Sequence, residues 1–126
     1  MAEPKRGSLK DRTLRAPLLS FSINKEIEKL RKESAWLNGD RNAVTLQKDK
    51  NLRVVLISLH KDVTLHEHKV EGPITLFVIS GKINFYAGED KVSADSNGFI
   101  VLDKAIPHDV EALEDATFIL TIIQPK

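Results

Sequence analysis

Two of the four histidines stand one residue apart, in Leu65-His66-Glu67-His68-Lys69-Val70. If residues 65 to 70 are extended, alternate side chains share a face, so His66 and His68 point to the same side, about 7 Å apart along the strand. Two imidazoles on one face can grip one metal ion. A third histidine, His108, follows Pro107. The proline ring fixes its own φ and restricts Ile106, so the backbone that aims His108 is set. His60 belongs to the polar turn His60-Lys61-Asp62 and is expected to be a solvent-exposed histidine rather than a further ligand.

The elements that must position these rings are short. Gly72-Pro73 breaks the first strand, and the apolar run Ile74 to Ser80 returns to a turn at Gly81. That run is rich in β-branched residues and too short for a solitary helix, so it reads as a buried strand. Further strands are expected at about 43–48, 52–59, 64–70, 82–87, 91–94, 99–102, from 109, and 118–123. Many short strands without intervening helices indicate an all-β antiparallel sandwich or barrel, and a jelly roll of this kind encloses a cavity. Ile74, Leu76 and Val78 share a face, joined by Ile83 and Phe85 if the next strand keeps register. A slip of one residue would exchange the first set for Thr75, Phe77 and Ile79.

One N-terminal helix is expected at about 24–38. Asn24 can cap it, Ile27, Leu30, Ser34 and Leu37 form a narrow stripe with Ile23 on the same side, and Asn38-Gly39-Asp40 ends it. Its apolar face suits the outside of a sheet, and Trp36, at the edge of the stripe, is expected to pack under that sheet. Tyr86 reads as an edge-of-core tyrosine.

A chain of 126 residues fits one domain, and its lack of cysteine excludes disulfides and thiolate chemistry. The net charge of +1 supplies no global field for nucleic acid or anionic lipid. No run of about 18 apolar residues is present to span a membrane. Residues 1–17 read as a basic flexible arm without the apolar segment of a signal peptide, so a cytoplasmic protein is expected. No serine motif, phosphate loop or paired carboxylates points to another catalytic class.

The stretch Leu65 to Gly81 resembles the first motif of the cupin superfamily, a His-x-His pair followed by a glutamate and later a glycine. Gly98 to His108 takes the place of the second motif, which supplies a further histidine. The resemblance covers roughly residues 43 to 124 and implies a double-stranded β-helix, an RmlC-like jelly-roll barrel, within a single domain at 18–126. It also implies a homodimer, and a divalent ion (zinc, nickel, iron or copper) held by His66, His68 and His108.

The motif glutamate has no match. Its place falls at Ile74, with Thr75 beside it, and Glu71 precedes Gly72-Pro73 in a loop. In the second motif Asp103 and Ala105 replace the usual proline and glycine, and Ala112 replaces an asparagine. Losing the carboxylate weakens hard cations such as manganese most.

The function these features imply is binding of a divalent metal with a small, largely apolar molecule beside it, against Ile74, Leu76, Val78, Ile83 and Phe85. Oxygen-dependent oxidation or metal-assisted isomerisation is the implied reaction class. The alternative is a non-catalytic small-molecule-binding or sensing module, in which the histidines hydrogen-bond to water or to a ligand without metal.

Overall fold

Alternation of apolar and polar residues builds two antiparallel sheets. A computed structural model describes residues 17–67 and 71–124, without the side chain of residue 67. Two helices, α1 (Ile23–Lys32) and α2 (Ser34–Leu37), precede β1 (Arg41–Lys48), β2 (Leu52–Leu59), β3 (Thr64–Glu67), β4 (Ile74–Ser80), β5 (Ile83–Ala87), β6 (Asp90–Ala94), β7 (Phe99–Leu102), β8 (His108–Ala112) and β9 (Ala116–Ile123). One sheet has the order β1-β2-β9-β4-β7 and the other β3-β8-β5-β6. Residues 1–16, most of the expected arm, lie outside the described residues.

The two sheets enclose one core. From the five-stranded sheet Val55, Ile57, Leu76, Val78, Phe118 and Leu120 point inward, and from the other Ile83, Phe85, Val110 and Ala112 meet them. The opposite face of the five-stranded sheet is covered by α1. Leu30 packs there on Val44, Leu46 and Leu56, with Ile23 and Ile27 partly buried beside it. The expected helix on the outside of a sheet is therefore present, with two corrections.

Ser22, not Asn24, is the N-cap, its hydroxyl accepting from the Lys25 backbone N–H at 3.4 Å. The helix also stops at Glu33, which is extended (φ −83°, ψ 152°), and restarts at Ser34. Asn42 on β1 explains the break: its side-chain amide donates to the Leu30 carbonyl and to the Glu33 carboxylate, both at 2.8 Å. The interruption turns buried Trp36 toward His60, and their rings stack 3.5 Å apart. His60 Nε2 donates to the Trp36 carbonyl at 2.8 Å. His60 is thus a half-buried pin between helix and barrel, where the sequence suggested an exposed ring. Among the described residues no helix is long and apolar enough to cross a membrane.

Candidate functional site

The rings singled out in the sequence are placed by the β3–β8 ladder. Its register pairs Thr64 with Glu111, Leu65 with Val110, His66 with Asp109, and Glu67 with His108. Directly opposed residues share a face of an antiparallel pair, so Leu65 and Val110 mark the inner face, and His66 and Asp109 the outer one. His66 is 72% exposed, and its Nδ1–H donates to Asp109 Oδ1 at 3.1 Å. The expectation that His66 turns into the barrel with His108 does not match this placement. Val63 and Leu65 are apolar and Thr64 and His66 polar, an alternation that already assigns His66 to the solvent face. His68 lies outside the described residues.

His108 does enter the barrel. Its side chain is buried, with the residue 4% exposed, and the ring stacks on Phe85 with centroids 5.5 Å apart and planes 17° from parallel. Its Nδ1 lies 3.1 Å from the Ile106 carbonyl oxygen. A carbonyl only accepts, so Nδ1 carries the proton and, in the neutral ring, Nε2 presents a lone pair. Pro107, between the two, holds the Ile106 carbonyl where His108 can reach it. Asp103, which replaces the motif's proline, does not orient the ring: it is exposed and accepts from the Lys104 backbone N–H at 2.8 Å. The Ile106 carbonyl does that work, and a main-chain group leaves no mark in the sequence.

Ile74, Leu76, Val78, Ile83 and Phe85 are all buried and face the core between the sheets. Phe77 and Ile79 face the other way, Ile79 beneath α1. Val92, the register partner of Phe85 on the edge strand β6, is 48% exposed. Exposure on the inner face of the four-stranded sheet therefore rises from fully buried Ile83 and Ala112 toward this edge.

On the outer face of the four-stranded sheet a second polar group forms. Tyr86 donates its hydroxyl to Glu111 Oε1 at 2.7 Å, Ser93 donates to Asn84 Oδ1 at 2.6 Å, and the Asn84 amide reaches Glu111 at 3.4 Å. The hydrogen bond from Tyr86 holds the Glu111 carboxyl below its ordinary range, and the same bond raises the Tyr86 hydroxyl. Tyr86 is therefore committed on the outside and gives the barrel no acid.

A catalytic zinc-type centre takes three converging protein ligands. Among the described residues no three histidine, aspartate or glutamate side chains converge in this way. His66 is engaged outside by Asp109, so the described residues do not fit the three-imidazole site.

No protein-family model matches the sequence, and no curated protein matches it. Solved structures do. A cupin superfamily protein from Desulfitobacterium hafniense superposes with a TM-score of 0.65 at 9% identity, covering 68% of this chain and 78% of that one. The domain is a cupin in fold. A cupin 2 conserved barrel domain protein from Leptotrichia buccalis matches with a TM-score of 0.65 at 25% identity over 68% of this chain and 42% of its own. The fold also occurs in a Bacillus subtilis oxalate decarboxylase, with a TM-score of 0.61, 17% identity, and 68% and 26% of the two chains covered. This cupin domain thus spans a quarter to less than half of those two longer proteins, and shares its architecture with an enzyme and with proteins described by fold alone.

Proposed function

We propose that this cupin domain binds a small, largely apolar molecule through its barrel, with His108 as the polar anchor and without a three-histidine metal centre. The observation that supports the reading best is the hydrogen bond from His108 Nδ1–H to the Ile106 carbonyl. In the neutral ring this leaves Nε2 as an acceptor, on an imidazole stacked against Phe85 beside the apolar inter-sheet core. An acceptor in an apolar site selects a partner that brings one hydrogen-bond donor on an apolar body, such as a hydroxyl or an undissociated acid. No other acid or base from the described residues accompanies it there, which favours binding over catalysis.

Short aliphatic and aromatic alcohols serve as probes, followed by thermal shift and by the His108 ring signals. Binding of the alcohol, loss of that binding in His108→Phe, and indifference to the matched hydrocarbon support the reading. Equal binding of alcohol and hydrocarbon by both proteins refutes it. Saturating ligand at one hundred times its dissociation constant raises stability by about 2.7 kcal/mol.

A further inference from the structure

The residue after β2, His60, has a hydrogen-bond acceptor on each ring nitrogen. Nε2 lies 2.8 Å from the Trp36 carbonyl oxygen and Nδ1 3.4 Å from Asp115 Oδ1. A carbonyl and a carboxylate only accept, so a neutral ring, with one proton, satisfies one of them and turns a lone pair on the other. Only the imidazolium donates to both. The side chain is 32% exposed, so protons reach it from solvent.

The barrel side of this contact is fixed. The His60 N–H donates to the Asp40 carbonyl at 3.0 Å, its carbonyl accepts from Val63 at 3.1 Å, and Asp115 accepts from the Lys61 backbone N–H at 2.8 Å. Helix α2 is the weaker partner: it has four residues and no side-chain bond at its N-cap, and a single helical turn does not stand alone in water. The Trp36 carbonyl belongs to its last turn, where a ring N–H and a positive charge are favoured. Other charged groups also act on the ring. Asp40, before β1, is closed by Arg41 with bonds of 3.1 and 3.2 Å, and its carboxyl lies below its ordinary range chiefly through Arg41, with His60 a lesser contributor. Arg31 of α1, whose guanidinium carbon lies 5.6 Å from the Trp36 ring centre, and Lys61 oppose a proton on His60, and Asp115 favours it.

We infer that His60 is a proton-operated clamp on α2: as the imidazolium it ties the Trp36 carbonyl to the Asp115 carboxylate, and on losing a proton it lets α2 and Trp36 part from the barrel. Nδ1 is the nitrogen that gives the proton up, because its contact is the longer of the two. Its lone pair then faces the Asp115 oxygen, and the repulsion is relieved when the ring tilts away from the turn between β8 and β9. Trp36 is 8% exposed and stacked 3.5 Å from the ring, so it moves with it. The helical cover of the five-stranded sheet is therefore conditional on pH at its α2 end, closed on the acid side and loosened on the alkaline side.

Trp36 is the chain's single tryptophan, so its emission reads the clamp directly. The full chain is followed from about pH 5 to about pH 8, where imidazoles change charge. Wild type is expected to brighten and shift to longer wavelength as pH rises, because the indole loses a stacked imidazolium that quenches it and meets water. Over the same range the Leu37 and Asn38 amides, which bond to the Glu33 and Ser34 carbonyls, are expected to lose hydrogen-exchange protection about threefold after correction for the intrinsic rate, the scale of a partly exposed ion pair. His60→Gln is expected to remove both responses. Asp115→Asn, whose amide can donate to a neutral Nδ1, is expected to keep α2 protected at the alkaline end, and it decides the matter if His60→Gln does not fold. Emission and protection that ignore pH in wild type overturn the inference, as does brightening without loss of protection. So does a wild-type response that persists in His60→Gln or in Asp115→Asn. His66 and His108 titrate in every variant alike, so failure here is separate from failure of the proposed function.

Discussion

His66 and His108 stand on opposite faces of one antiparallel ladder. His66 is paired across the strands with Asp109, the residue after His108, and bonds it on the solvent side, while His108 turns inward against Phe85. One residue of register decides whether His66 shares the inner face with His108, and among the described residues only His108 faces inward.

The contact between Phe85 and His108 carries both packing and orientation. Phe85→Ala is expected to lower stability by about 3–5 kcal/mol, because Phe85 is almost wholly buried in the inter-sheet core. Phe85→Leu is expected to cost less and to leave His108 more mobile. Urea denaturation of both variants measures the first effect, and the line width of the His108 ring protons the second.

Two glycines with positive φ separate conformational strain from steric exclusion. Gly88 (φ 57°) sits in the β5–β6 hairpin with nothing near a built Cβ, so Gly88→Ala is expected to cost only about 1–2 kcal/mol. Gly81 (φ 84°) ends β4, and a Cβ there would collide with the Asp115 carbonyl oxygen and lie 2.6 Å from Ala116 Cα. Gly81→Ala is therefore expected to destabilise by roughly twice as much or more. Equal melting temperatures for the two variants would contradict the close approach of β4 to the turn before β9.

The Tyr86–Glu111 bond predicts stability limits at both ends of the pH scale. Glu111 is held below its ordinary range by the Tyr86 hydroxyl, so its contribution is present above the unfolded carboxyl range and is lost as pH falls through the folded value. Tyr86 is raised by the same bond, so its contribution is full below about pH 10 and is lost as pH rises through the folded value. Tyr86→Phe is expected to flatten both limbs of a melting-temperature profile while leaving alcohol binding unchanged.

Much of the architecture was legible in the sequence because it rests on period-2 alternation. Ile74, Leu76 and Val78 declared one face of β4, and Leu30 and Ile27 the buried stripe of α1. The break at Glu33 was not legible, since no glycine or proline marks it and its cause is Asn42, a residue on another element. Choosing Asn24 over Ser22 as the cap failed because two good capping residues stand two apart, and tertiary packing selects between them. The site was half legible. Spacing puts His66 and His68 on one face of an extended segment but leaves open which face, and the alternation of Val63 and Leu65 with Thr64 and His66 was the signal that assigns it. His108 inside the barrel was what the cupin resemblance implied, whereas the carbonyl that orients it left no mark in the sequence.

The most direct test of a barrel anchored by one imidazole is a zinc titration of the nitrogen-15-labelled protein, followed through the histidine ring nitrogens. The account predicts a His108 ring protonated at Nδ1, with Nε2 unperturbed by one equivalent of zinc, and a His66 ring that keeps its bond to Asp109. Stoichiometric zinc that shifts the ring nitrogens of His66 and His108 together would contradict it and restore the three-histidine centre.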